Sequence, residues 1–266
     1  MQTTITAALA GNPNCGKTTL FNNLTGSRQH VGNYPGITVE QKEGCRLHHE
    51  QGIRFIDLPG TYSLSAYSVE ELVARDFVIN EKPDVIVNVV DACNLERNLY
   101  LSTQFLELGL PVIVALNMMD VAQSRGLSID SAKLEALLGV PVVPIVARSG
   151  KGMDALLDTI VRVAEGKITP EPLLINYGAD IEEALRDLEP GLSRCSALHD
   201  LYPLRWLGVK LLENDSQIIE KVRACAPDDA DTMLARCEAA ASHLQQTLSV
   251  SPVSVVPVHG SGFIKA

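Results

Sequence analysis

Gly11-Asn12-Pro13-Asn14-Cys15-Gly16-Lys17-Thr18 spells G-x-x-x-x-G-K-[ST], the phosphate-binding loop of nucleoside triphosphatases. Two glycines let the backbone turn tightly and approach a ligand that a side chain would keep away. The loop amides and the following helix N-terminus then face phosphate oxygens. Asn12, Pro13, Asn14, Cys15, Gly16, Lys17, Thr18 and Thr19 form the candidate phosphate-binding set. Within it Lys17 reaches the β- and γ-phosphates and the Thr18 hydroxyl binds Mg²⁺.

Three further clusters follow in an order that chance does not readily supply. Asp57-Leu58-Pro59-Gly60 is D-x-x-G, in which Asp57 holds Mg²⁺ and the Gly60 amide meets a γ-phosphate. Asn117-Met118-Met119-Asp120 is N-x-x-D. The Asp120 carboxylate accepts from guanine N1–H and the exocyclic amine, and adenine leaves it unpaired. Asn117 ties loops together, and Met118, where lysine is usual, covers the base by apolar contact. Val146-Ala147-Arg148 follows, with the Ala147 amide expected to meet guanine O6. Between the first and second motifs lies Val31–Glu40, whose Gly and Pro content suits a mobile loop. Thr38 is its candidate Mg²⁺ ligand when a γ-phosphate is present.

The elements that must carry these residues alternate through residues 1–166. Strands are expected at Thr4–Ala10, Thr38–His48, Gly52–Asp57, Val85–Val90, Val112–Asn117 and Val142–Val146. The last three are short apolar runs, as in strands covered on both faces. Helices are expected at Lys17–Leu24, Val69–Asn80, Glu96–Leu108, Ser131–Leu138 and Met153–Ala164. This is an α/β, doubly wound, mostly parallel pattern, with ligands at the carboxyl ends of strands. Ile168-Thr169-Pro170-Glu171-Pro172 reads as a linker. Helical periodicity at Asp180–Leu188, Leu204–Glu213, Ser216–Ala224 and Asp228–Leu248 predicts a small all-helical domain in residues 167–266, with the tail Val250–Val258 left open.

Bulk properties narrow the classes. Of 266 residues, 46% are hydrophobic, enough for a sizeable core. The net charge of −10 has its acid excess shared between residues 1–166 and 167–266, which argues against a nucleic-acid surface. Six cysteines without a C-x-x-C pair suit a reducing compartment. Cys195 and His199 alone fall short of a zinc site. Neither a secretory leader nor a membrane-spanning run is expected from the pattern.

With these motifs the chain resembles the cytosolic N-terminal part of the bacterial ferrous-iron transport protein B (FeoB) family. The resemblance rests on GNPNCGKTTLFNNLTG at 11–26, VGNYPGITVEQKEG at 31–44, DLPGTYSLSAYS at 57–68, NVVDACNLERNLYL at 88–101 and YPLRWLGVKLLEND at 202–215. It implies a Ras-like phosphate-loop GTPase domain joined to a helical domain favouring GDP retention, on the cytoplasmic face of the inner membrane. It also implies continuation into a membrane permease as the partner, with a homo-oligomer open. By the same resemblance, Asn14 helps hold K⁺ near the phosphates and the Gly32 and Tyr34 carbonyls complete its cage. The catalytic set becomes Lys17, Asn14, Thr38 and Gly60, with GTP/GDP, Mg²⁺ and K⁺ as cofactors. Thr61 stands where many small GTPases carry a catalytic glutamine, so slow basal hydrolysis is expected. Cys15 replaces a frequent serine; an ionised thiol there would make the loop oxidation-sensitive, whereas an ordinary loop cysteine is inert.

Two other functions compete. A ribosome- or tRNA-associated GTPase would need a basic surface after residue 166. A non-catalytic iron-binding module would need Cys195, His199, His243 and His259 to converge, and no compact ligand motif unites them.

Overall fold

The computed structural model describes residues 4–26, 29–34, 37–65, 68–170 and 175–248. The chain divides into two compact units, Met1–Leu106 with Leu110–Leu173, and Glu107–Gly109 with Leu174–Ala266.

The first unit is built on a seven-stranded sheet. Its strands are β1 (Ile5–Gly11), β2 (Gln29–Asn33), β3 (Glu40–His48), β4 (Gln51–Asp57), β5 (Val85–Asp91), β6 (Val112–Asn117) and β7 (Val142–Pro144), ordered β2-β3-β4-β1-β5-β6-β7. From β4 to β7 every pairing is parallel; β3 runs antiparallel to both β4 and β2. Parallel strands bring their carboxyl ends to one edge, so Gly11, Asp57, Asp91 and Asn117 all finish there. The registers Leu9↔Asp57, Gly11↔Val89 and Asp91↔Asn117 fix how far each strand reaches.

All of β6 and all but the last residue of β5 are buried, as the apolar runs require. Alternate residues Ala7, Leu9, Phe55, Val87, Val89, Ile113 and Ala115 form one core with Leu20, Phe21 and Leu24 of α1 (Lys17–Thr25) and with Leu156, Leu157 and Ile160 of α6 (Met153–Ala164). Both helices are thus clamped by their apolar faces. Between them come α2 (Val69–Asn80), α3 (Leu95–Glu107), α4 (Met119–Ser124) and α5 (Ser131–Leu138). Ser68 caps α2 by accepting from the Glu71 amide at 3.1 Å, and Asp130 caps α5 by accepting from the Lys133 amide at 3.0 Å.

Three expectations change. Val31–Glu40 is not simply a mobile loop: Gln29–Asn33 is an edge strand paired with β3, and Thr38 lies in the exposed bend before β3. Every residue of β2 is exposed, so the strand carries no apolar periodicity and owes its form to backbone pairing with its neighbour. The last strand ends at Pro144, and the short helix α4 has no counterpart among the expected helices. Pro35, Gly36, Glu171, Pro172, His259 and Val250–Val258 lie outside the described residues.

The second unit contains α7 (Ala179–Leu192), α8 (Ser196–His199), α9 (Leu204–Leu212), α10 (Ser216–Cys225) and α11 (Pro227–Leu248). The one-turn α8 is too short to leave a periodic signal in the sequence. Trp206 is buried and stacks on Tyr202 with ring centroids 5.1 Å apart. Arg205 grips Glu182 through both terminal nitrogens at 2.7 Å. Buried Lys210 meets Glu213 at 2.6 Å, and Glu107 accepts the Tyr177 hydroxyl hydrogen bond. Among the described residues no helix is long and apolar enough to cross a membrane.

Candidate functional site

The phosphate loop leaves β1 at Gly11 and enters α1 through Gly16, whose φ of 88° is left-handed. A side chain at Gly16 would collide with Asn117, and a Cβ at Gly11 would lie 2.7 Å from the Val89 carbonyl and 2.8 Å from Cys15 Sγ. Glycine is therefore required at both motif positions. Asn14 is also left-handed, at φ 67°, and exposed along with Pro13, Thr18 and Thr19. Asn12 is buried and donates to the Arg97 carbonyl at 3.3 Å, anchoring the loop to α3.

Lys17 turns inward. Its ammonium donates to Asp57 Oδ1 and to the Leu58 carbonyl, with both charged side chains about one-tenth exposed. The structure thus joins the phosphate-loop lysine to the D-x-x-G carboxylate. Gly60 follows on the loop surface, where a Cβ would sit 3.5 Å from the Pro13 backbone. The Thr61 amide donates to the Gly11 carbonyl at 3.3 Å, which keeps this segment against the phosphate loop.

Asn117 does what its position predicts. Its Nδ2 donates to the Cys15 carbonyl at 2.9 Å, and its Oδ1 accepts from the Ala147 amide at 2.9 Å. One buried side chain thereby ties the phosphate loop to the Val146-Ala147-Arg148 loop. The Ala147 amide is engaged by Asn117, so a bond to a base must share or exchange that donor. Met118 caps α4 in a left-handed conformation at φ 63°, and Asp120 is exposed in the first turn of α4. Asp120, Val146 and Lys151 line a cleft of about 640 Å³, and Arg148 is exposed beside it.

The expected cage carbonyls are placed differently. Gly32 lies inside the β2–β3 pairing opposite Gln41, and the Tyr34 carbonyl accepts from the Ile37 amide at 3.2 Å. The Tyr34 ring is buried edge-on to Phe77, and its hydroxyl lies 3.4 Å from the Asp57 carbonyl. Antiparallel pairing uses backbone that a loop would have left available. Cys15 is 1% exposed, and burial pushes its thiol up to about 11. Burial and the raised thiol pKa argue for the inert alternative.

Asn23 carries a contact that the sequence does not announce. Its Nδ2 donates to the Ala147 carbonyl, 124 residues away, so α1 positions the base-side loop as well as the phosphate loop. A single asparagine in a helix gives no local sign of such a partner. Arg97, stacked over Tyr62 at 4.2 Å, is another such support.

A phosphate loop, D-x-x-G and N-x-x-D at the carboxyl edge of this sheet define a Ras-like G domain, here followed by a helical domain. The family described as "Ferrous iron transport protein B" matches residues 5–160, and "FeoB cytosolic helical domain" matches residues 177–266. The chain belongs to the ferrous iron transport protein B family. A Porphyromonas gingivalis Fe(2+) transport protein A/Fe(2+) transporter FeoB fusion protein is 50% identical over 217 residues, covering 80% of this chain and 26% of that protein. The Escherichia coli K12 Fe(2+) transporter FeoB is 44% identical over 222 residues, covering 79% and 27%. The chain thus spans about a quarter of the length of these curated relatives. An S. thermophilus NFeoB mutant solved with mGDP superposes with a TM-score of 0.86 at 36% identity, covering 99% of this chain and 97% of that one. The cytosolic domain of L. pneumophila FeoB gives 0.73 at 42% identity, covering 91% and 98%.

Proposed function

We propose that this chain is the GTP-binding and GTP-hydrolysing cytosolic regulatory part of a bacterial ferrous-iron transporter, acting as a switch on its membrane permease. The observation that carries the reading is Asn117 bridging the Cys15 carbonyl and the Ala147 amide, which sets the phosphate loop and the base loop at a fixed spacing. The GDP- and mGDP-bound S. thermophilus relatives support guanine as the base.

In hydrolysis, water attacks the γ-phosphorus, the bond to the β-phosphate oxygen breaks, and GDP and phosphate leave. Lys17 and the amides of residues 14–18 stabilise the phosphate charge. For Lys17 to do so, it must leave Asp57, which frees that carboxylate. Asp57 and the exposed Thr18 hydroxyl supply the hard oxygen donors that Mg²⁺ requires, and Thr38 joins them when its bend closes. Bound Mg²⁺ would neutralise charge on the β- and γ-phosphates. Gly60 supplies an amide to the γ-phosphate, while Thr61 offers no side-chain amide to orient water, which fits a slow basal rate. Asp120 selects guanine, with Met118, Val146 and Arg148 around the base.

The potassium site fits in part. Exposed Asn14 can offer its amide oxygen, but Gly32 and Tyr34 join only if the β2–β3 hairpin rearranges. K⁺ held there would offset developing phosphate charge.

The test is phosphate release from GTP and from ATP, each in KCl and in NaCl at matched ionic strength. GTP-only turnover that rises in KCl is expected. GTP-only turnover without salt preference removes the potassium site and keeps the GTPase. Equal ATP turnover overturns the guanine assignment.

A further inference from the structure

The β3–β4 hairpin turns through His49 and Glu50, with φ of 45° and 68°. Two-residue hairpin turns of this kind favour Asn and Gly; His49 tolerates positive φ better than Glu50 does. The turn brings the His49 ring against His48, with centroids 4.2 Å apart. Both rings aim Nε2 at one oxygen of Asp158 on α6: His48 at 2.7 Å and His49 at 3.5 Å. The three ligand atoms lie within 4.8 Å of one another, and among the described residues no other such His, Cys, Asp and Glu group occurs. The His48 side chain is 10% exposed and so fixed in place, while His49 and Asp158, at 80% and 53%, leave an open side for water.

We infer that His48, His49 and Asp158 form a binding site for a divalent first-row transition ion, separate from the nucleotide site. Tetrahedral bonds of about 2.05 Å place adjacent ligand atoms about 3.3 Å apart. The His49–Asp158 spacing already meets this. The His48–Asp158 pair opens by roughly 0.6 Å as the ion replaces the shared proton. Two imidazole nitrogens among three donors favour Fe²⁺, Co²⁺, Ni²⁺ or Zn²⁺ over Mg²⁺, which demands oxygen. Ferrous ion, named in the family's description, falls in the favoured class. From Gln51 beside the turn, β4 runs to Asp57, roughly 20 Å at strand rise, so the ion would not compete with nucleotide-bound Mg²⁺. The inference is independent of the GTPase reading.

The test uses the chain loaded with GDP and excess Mg²⁺. Exposed Cys45 on β3 is replaced by Ser to remove a competing thiolate. Co²⁺ is titrated by visible absorption and Zn²⁺ by calorimetry. One ion per chain is expected, with His48→Ala and Asp158→Asn each weakening binding at least about tenfold and leaving GDP affinity unchanged. The amide oxygen introduced by Asp158→Asn still accepts a bond from His48, so that variant keeps the hairpin against α6. No binding in the parent, binding that survives both substitutions, or displacement of Co²⁺ by Mg²⁺ would overturn the site.

Discussion

Lys17 and Asp57 are ion-paired at the carboxyl edge of the sheet, the ammonium also capping the Leu58 carbonyl. Each partner has a separate proposed ligand, one the phosphates and the other Mg²⁺, and neither is reached until the pair parts. Replacing Lys17 with Ala should therefore act twice. It removes phosphate stabilisation, lowering GTP turnover by at least about 100-fold. It also strands a largely buried carboxylate, lowering nucleotide-free stability by up to about 3 kcal/mol. Steady-state phosphate release and urea unfolding measure the two effects, and undiminished turnover would remove Lys17 from the mechanism.

Asn117→Ala leaves the Cys15 carbonyl and the Ala147 amide without their partner, and unsatisfied buried groups cost about 1–3 kcal/mol each. Fluorescent GDP titration should show affinity reduced by at least about tenfold, with the unfolding midpoint lowered as well. Asn117→Asp keeps the acceptor for Ala147 but sets a carboxylate oxygen against the Cys15 carbonyl, so it should be no better than Ala. Wild-type affinity in both variants would show that the bridge does not set the loop spacing.

Asp120 is exposed in the first turn of α4, away from the apolar core of the unit. Asp120→Ala should leave the unfolding midpoint nearly unchanged while lowering GTP affinity by about 100-fold or more relative to ATP. Competition of both nucleotides against labelled GDP gives that ratio directly. A uniform loss for both would mean that Asp120 does not read the base.

Glu107 provides a pH test in the second unit. Burial pushes its carboxyl up to about 7 from an ordinary 4.5, against the lowering effects of the Tyr177 hydroxyl, Lys210 and Arg205; Glu213 adds to the rise. A folded-state value above the unfolded one means that the folded chain holds the proton more tightly. Its contribution is full below about pH 4.5 and is lost as pH rises through 7. The swing is about 3 kcal/mol. Glu107→Gln should flatten the fall in thermal midpoint between those pH values, read by circular dichroism. An unaltered profile would place the sensitivity elsewhere.

The sequence was legible where local chemistry decides conformation. Gly11 and Gly16 bracket a turn that no side chain could enter, and the apolar runs of β5 and β6 had to be buried strands. Asp130 sets where α5 begins, because its side chain satisfies an amide three residues ahead. The shared carboxyl edge followed from the α/β alternation, since parallel strands must all finish on the same side. The α/β class and the phosphate, D-x-x-G and N-x-x-D loops were therefore determined by residue type and spacing alone. Tertiary structure decided what those residues touch. Exposed β2 became a strand only because β3 lay alongside it, and its pairing absorbed the segment carrying Gly32. Lys17 met Asp57 across 40 residues, Asn117 met Cys15 across 102, and Asp158 met His48 across 110. Such contacts leave no periodic trace in the chain, because their partners are selected by the packing of the sheet and not by neighbouring residues.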